Sequence, residues 1–264
     1  MFGTHKRYAP AARVASAEAL GQLAGSADLE DDIALCPFQT IEPVFRAHLP
    51  AGERILEAGC GRGRWVFHLR RLGFDVIGLD LAKSDLVRAR RHDPSVPVTC
   101  GDVVKTAFAD ARFGAVISLG VVEHFEEGPQ AALAEVRRLL RPGGVFLVTV
   151  PTQNLLRVLV FNRLKDLQWI VRRLRGRALM FEEYRYSRAR FSRILREAGF
   201  EIVELHPDDF RPPKNMGLYT DSRFFQHPVN RWELNGAGRL VNRILGGLSP
   251  WLLCSGTLWV CRRP

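Results

Sequence analysis

The chain has 264 residues, 47% of them hydrophobic, with a formal net charge of +10. It is long enough to bury a large core and too apolar to read as disordered. Its five cysteines, Cys36, Cys60, Cys100, Cys254 and Cys261, form no CxxC pair and no zinc-like spacing with histidine, which argues against a disulfide scaffold and fits a reducing cytosol. No apolar run follows Lys6 and Arg7, so no signal peptide is expected.

In chain order, residues 1–36 read as a peripheral arm or a flap over a ligand. Within it, 11–24 read as an alanine-rich helix and 26–32 as an acidic link. Ile41, Val44, Phe45 and Leu49 predict a helix over 40–49. Ile55, Leu56 and Ala58 predict a buried strand, after which Gly59, Gly61 and Gly63 fall at every second position before a helix that Gly73 ends. Strands follow at 75–80, 96–100 and 115–119, with a short helix over 84–91. Pro129 starts a helix that the Arg141-Pro142-Gly143-Gly144 turn stops, and 145–150 is a fifth, almost wholly apolar strand. This alternation predicts a doubly wound α/β sheet whose ligands sit at the carboxyl ends of its strands.

After Pro151 the rhythm changes. Leu156, Val160, Leu164, Leu167, Val171 and Leu174 are spaced as the apolar stripe of a helix, with Arg157, Lys165, Arg172 and Arg175 elsewhere around it. Residues 152–196 hold 12 Arg or Lys against 3 acidic residues, an excess that suits nucleic acid, anionic lipid, an acidic substrate or simply a solvated surface. Ser187 caps a helix to 198, a strand covers 200–205, a long irregular stretch covers 206–235, and a helix over 238–245 leads to a last strand at 256–261. Residues 244–261 carry no charge, but Gly246, Gly247, Pro250 and Gly256 break them, so they do not read as a membrane span.

The glycine turn alone marks only a nucleotide-like ligand. Asp80 ends the second strand, where a carboxylate accepts ribose hydroxyls, and Asp102 ends the third, where one can accept from an adenine amino group. Glu57 adds a negative charge beside the glycines, which repels a pyrophosphate and attracts a cationic amine and sulfonium. The spacing is GxGxG and not GxGxxG, which also weakens a nicotinamide-dependent oxidoreductase reading.

ILEAGCGRG, VIGLD, the CGD step, SLGVVEHF and LRPGGVFLVTVP stand in an order that resembles the class I S-adenosylmethionine-dependent methyltransferases, most of all the bacterial type 11 group. The resemblance covers 54–151, with weaker support from REAGFEIVEL and the last strand. It implies a Rossmann-like α/β fold, a three-layer αβα sandwich whose core strands lie in the order 3-2-1-4-5-7-6 with the last antiparallel. Residues 37–264 would form the methyltransferase domain, with a basic amphipathic lid helix inserted at about 152–181.

The resemblance also implies S-adenosyl-L-methionine as methyl donor and assigns roles by position. Glu57 faces the methionine end, which Gly59, Cys60, Gly61 and Gly63 line. Asp80 holds the ribose with Leu81 beside the adenine, Asp102 and Val103 bind the adenine, and Leu119 and Gly120 pass under the methionine and methyl group. His124 is the candidate catalytic base. Related quinone-pathway enzymes carry a Glu-x-x-Glu-His pattern that can hold a metal, but Gly120 replaces the first glutamate here, so no metal is expected. Tyr184, Tyr186, His206 and His227 lie in variable segments that could line the acceptor site.

The expected acceptor is a small molecule or lipid precursor. The alternatives are RNA or protein methylation through the basic 152–196 segment, or a non-catalytic partner protein that binds the cofactor. Aromatic residues do not interleave the basic ones as base-stacking surfaces do, which disfavours nucleic acid. The 155–177 helix, with Trp169 and Arg172, Arg173, Arg175 and Arg177, suits peripheral contact of a cytoplasmic protein with an anionic membrane.

Overall fold

In the computed structural model, residues 3–10, 28–176, 179–208, 216–230 and 233–264 are described. The chain opens with strand β1 (Thr4–Pro10), then helices α1 (Leu29–Ala34) and α2 (Glu42–His48). The predicted helix over 11–24 lies outside the described residues. The alternating part follows as β2 (Arg54–Ala58), α3 (Arg64–Arg71), β3 (Asp75–Asp80), α4 (Lys83–His92) and β4 (Val98–Cys100). It continues as β5 (Phe113–Leu119), α5 (Gln130–Leu139) and β6 (Leu140–Pro151). The second half comprises α6 (Asn162–Leu174), β7 (Leu179–Tyr186), α7 (Arg188–Glu197), β8 (Glu201–Asp208), α8 (Met216–Asp221), α9 (Gly236–Leu248) and β9 (Gly256–Arg262).

The main sheet has seven strands in the order β4-β3-β2-β5-β6-β9-β8. Neighbours from β4 to β6 pair in parallel, and β9 runs antiparallel to both β6 and β8. This is the expected 3-2-1-4-5-7-6 order, with the antiparallel strand where the resemblance puts it. Period-two alternation sends the strand residues to two cores. Ile55, Val76, Ala115, Ile117 and Leu147 meet Phe45, Trp65, Leu69 and Leu86 of α2, α3 and α4 on one face. Leu56, Leu79, Val116, Phe146 and Trp259 meet Leu133, Val136, Phe191 and Leu195 of α5 and α7 on the other. Two cores around a sheet covered on both faces explain why the central strands read as apolar runs. The Phe45 and Trp65 rings meet edge to face at 4.8 Å, an arrangement that contributes about 0.5–1.5 kcal/mol beyond the area buried.

Over its described part the arm is a strand: β1 pairs antiparallel with β7, from Thr4 opposite Tyr186 to Pro10 opposite Leu179. The strand at β7 was not expected either; its alternation of Glu183 and Arg185 with Glu182, Tyr184 and Tyr186 is hidden in a run of mixed charge. The lid helix expected over 155–177 runs without a break from 155 to 174, with a π-helical turn, Arg157–Phe161, leading into α6. Single π turns inside α-helices are frequent at functional sites; here Arg157 is 1% exposed. The apolar stripe of α6 faces outward, leaving Leu164, Leu167, Ile170 and Leu174 more than half exposed at 53%, 60%, 56% and 82%. Within the irregular stretch, α8 delivers Asp221 to the interior.

Candidate active site

The glycine turn sits where β2 ends. Gly59, Gly61 and Gly63 all have positive φ, at 84°, 53° and 79°, the region that glycine enters without steric cost. A side chain on Gly59 would overlap Cγ2 of Val121, so that glycine keeps two loops in contact. At Gly61 a Cβ would meet nothing within 4 Å, which leaves an open cradle beside the backbone. Gly63 is the N-cap of α3 and leaves the first N–H groups of that helix facing the turn. Asp80 fastens the loop from β3: one carboxylate oxygen accepts from Gly61 N at 2.6 Å and the other from Ala82 N at 2.8 Å. Arg62 of the turn pairs with Asp32 of α1, which ties the N-terminal region to the site.

The other residues expected to hold the cofactor are placed as follows. Leu81 is 58% exposed beside Asp80, a bare apolar surface at the strand end. Asp102 closes a short turn by accepting from Val104 N at 3.0 Å, and Val103 packs on the second core. The Cys60 side chain points inward, where a Cβ on Gly78 would lie 2.7 Å from its Sγ, so only its backbone faces the turn. Glu57 is 3% exposed, and its Oε2 has no hydrogen-bond partner. Burial pushes its carboxyl up to about 8, against the pull of Arg64 and a Val66 N–H. An orphaned buried acceptor, an open glycine cradle and an exposed leucine beside a carboxylate fit a cationic nucleoside, and S-adenosylmethionine is one.

A cavity of about 250 Å³ lies at the ends of β5 and β6 and is lined as far as β7; Arg64 and the expected Leu119 and Gly120 line it, whereas Glu57, Gly59, Gly61, Asp80, Leu81 and Asp102 do not. Its wall combines Gln39, Arg64, Leu119, Gly120 and Glu123 with Arg7, Pro151, Arg157, Glu183, Arg185 and Asp208. Glu123 is 2% exposed, and its Oε2 has no hydrogen-bond partner. Burial pushes the carboxyl up to about 7, while His124 beside it pulls the other way. His124, the residue expected from the sequence, is not in the wall: its Nδ1 lies 2.7 Å from the Glu182 carbonyl oxygen. Burial opposes its protonated form, but the Glu123 carboxylate and the Glu182 carbonyl outweigh that and raise its pKa.

A buried ionic network backs the far wall. Asp221 accepts from Arg157 Nε at 2.6 Å, Arg185 Nη1 at 3.0 Å and Lys165 Nζ at 3.3 Å. Arg157 also donates to the carbonyls of Thr152 and Ser255, at 2.6 and 2.5 Å. Arg185 and Arg7 both reach Glu183 Oε1, at 3.0 and 2.6 Å. Burial opposes ionisation of Glu183, yet Arg185 and Arg7 hold it down to about 2. Burial, then Arg185, bring the Lys165 ammonium down to about 8. The helix spacing shows Arg157 only as an off-stripe cation, and nothing in the sequence pairs it with Asp221 64 positions away. Of the other expected lining residues, Tyr184 donates to the Glu126 carbonyl, Tyr186 packs on Phe191, and His206 pairs with Glu204. His227 accepts from Val229 and Asn230, and among the described residues no cluster of three metal-ligating side chains exists.

Comparison with known proteins places this architecture. Residues 56–148, from β2 into β6, match a family described as methyltransferase domain. A probable S-adenosylmethionine-dependent methyltransferase of Mycolicibacterium smegmatis is 30% identical over 169 residues, which are 63% of this chain and 60% of that protein. A ubiquinone biosynthesis O-methyltransferase of Cereibacter sphaeroides is 36% identical over 107 residues, 39% of this chain and 43% of that one. The chain thus spans less than two thirds of the length of either relative. A SAM-dependent methyltransferase structure from Methanosarcina mazei superposes with a TM-score of 0.59 at 15% identity, covering 84% of this chain and 97% of that one, and so shares the fold. Sheet order, family match and relatives converge: residues 56–148 match the methyltransferase-domain family, within a sheet that has the strand order of the class I S-adenosylmethionine-dependent methyltransferase fold.

Proposed function

We propose that the protein moves the methyl group of S-adenosylmethionine onto a hydroxyl of a small-molecule acceptor, with Glu123 as the base. The observation that carries this is one cavity lined both by Leu119 and Gly120, which end the donor side, and by a buried Glu123 with an unpartnered oxygen. When bound, the donor supplies an electrophilic methyl group. Glu57, the Gly61 cradle, Asp80, Leu81 and Asp102 are the residues that would hold it. Arg64, in the first turn of α3, makes no ion pair with a carboxylate among the described residues, and Gln39 Nε2 is buried without a partner. Both are suited to the donor's own carboxylate.

On the acceptor side the chain must exclude water, aim the hydroxyl in line and take its proton. Glu123 suits the last, since a carboxyl near 7 is both available as base and able to keep the proton. His124 sets the electrostatics of Glu123 from behind and does not reach the acceptor. A small molecule is favoured over RNA because Arg157 and Arg185, two cations of the basic segment, are spent on Asp221 inside the protein. An O-methyltransferase among the relatives accords with a hydroxyl acceptor.

The outward stripe of α6 supports a peripheral membrane contact. Leu164, Leu167, Ile170 and Leu174 are exposed beside Arg163, Arg173 and Arg175, the pattern of an interfacial helix on anionic lipid. Among the described residues no helix is long and apolar enough to cross a membrane. Co-sedimentation with phosphatidylglycerol vesicles but not phosphatidylcholine vesicles is expected; no pelleting with either removes the contact. Calorimetry with S-adenosylhomocysteine and with NAD tests the donor. The first should bind and the second should not, and the reverse order defeats the proposal.

A further inference from the structure

The cavity has more capacity to donate hydrogen bonds to an anion than its own residues use. Four guanidinium groups, Arg7, Arg64, Arg157 and Arg185, lie in its wall with three carboxylates, Glu123, Glu183 and Asp208. Behind the wall Lys165 adds a cation, and Asp221 and Glu182 add carboxylates. Asp221 is shared among three cations and Glu183 between two, so these anions are already committed. Among the described residues, the buried unpartnered donors Arg7 Nε and Gln39 Nε2 belong to residues of the wall, whereas Trp65 Nε1 and Arg263 Nε lie outside it. A bound donor molecule adds a sulfonium and an ammonium and brings only one carboxylate, for which Arg64 and Gln39 stand beside the glycine turn.

That leaves Arg7. It comes from β1, opposite Glu183 in the ribbon, and lines the cavity, which none of residues 59–63 does. A guanidinium with its buried Nε–H unpartnered and its Nη groups held on Glu183 and Glu182 is fixed in orientation and keeps one donor uncommitted. We infer that the methyl acceptor is an acidic hydroxy compound, a small molecule whose carboxylate or phosphate docks on Arg7 at the β1–β7 wall while its hydroxyl faces Glu123. The inference rests on the methyltransferase reading and adds the substrate class to it. It also gives the N-terminal strand a role, since β1 closes the cavity and carries the specificity residue.

The test uses the full chain saturated with S-adenosylhomocysteine, so that failure of the donor reading appears first, as no heat of binding in that step. Malonate, inorganic phosphate and the neutral malonamide are then titrated by calorimetry. Malonate or phosphate should bind at least about tenfold more tightly than malonamide, and whichever of the two binds better identifies the acidic group. Arg7→Met should abolish that preference and leave S-adenosylhomocysteine affinity unchanged, and Arg7→Lys should restore part of it. Arg64→Met should show the opposite split. Malonamide binding as tightly as both anions, or neither anion binding to protein that holds S-adenosylhomocysteine, overturns the inference. If Arg7→Met fails to fold, the wild-type preference and Arg7→Lys still decide.

Discussion

Replacing Asp221 with alanine removes the anion on which Arg157, Arg185 and Lys165 converge. Its side chain is 3% exposed, and those of Arg157 and Arg185 are 1% and 3% exposed, so water cannot take its place cheaply. Removing one partner of a buried ion pair costs about 3–5 kcal/mol, because the remaining charge stays desolvated without compensation. At about 2–4 °C per kcal/mol for a chain of this size, the midpoint should fall by about 10 °C. Urea unfolding at pH 7 would read the loss directly as a lower midpoint at unchanged slope. The difference should shrink in acid. Burial works against ionisation of Asp221, but Arg157, Arg185 and Lys165 hold its carboxyl below the usual range of about 3.8. Its contribution is therefore complete above that value and is lost as pH falls through the lower folded one. A destabilisation under about 1 kcal/mol at pH 7 would show that the three cations do not depend on Asp221, and the cavity wall would then have another support.

Asp80→Ala removes the anchor of the glycine turn along with the expected ribose acceptor, and should weaken S-adenosylhomocysteine binding by about 1–3 kcal/mol, read by calorimetry; an unchanged dissociation constant means the ribose lies elsewhere. Gly59→Ala forces a side chain into a left-handed position against Val121, costing about 1–3 kcal/mol, and should raise the same constant at least about tenfold by the displaced loop. Wild-type kcat/KM should fall tenfold per pH unit below about 7, where Glu123 holds its proton. Glu123→Gln should lose about 10²- to 10⁴-fold in rate while keeping its cofactor affinity. Glu57 and Glu123 are also protonated in the folded chain over a range where the unfolded chain ionises, above about 4.5. Stability measured by urea should therefore decline as pH rises from about 5 to 8, with Glu57 responsible for the upper part of that window. A flat profile there would mean neither carboxyl is desolvated in solution.

The fold was readable because the central strands are covered on both faces, and that demand writes itself as short apolar runs separated by glycine and helical spacing. Ile55 and Leu56 serve opposite cores, yet both must be apolar. The glycine turn and its anchor were readable for a related reason: Gly59, Gly61 and Asp80 lie within 22 positions of one another and shape the backbone, where residue type dictates conformation. The far wall was not. Arg7, Arg157, Arg185 and Asp221 come from four separate segments, and a buried arginine in a basic run looks like any exposed one. The cavity is lined by Glu123 and not by its neighbour His124, and no sequence pattern tells which of two adjacent polar residues does so. It also left the direction of the α6 stripe open, because periodicity shows that a helix has an apolar face and not what covers it.

Transfer of a labelled methyl group tests the central claim most directly. The purified chain is incubated with methyl-labelled S-adenosylmethionine and a cell extract, which is then separated into small molecules, RNA and protein. The label should appear in the small-molecule fraction and be reduced at least about tenfold with Asp80→Ala, the scale of the lost donor affinity. Label in RNA or protein instead, or none above the blank from a chain that binds S-adenosylhomocysteine, would contradict the account.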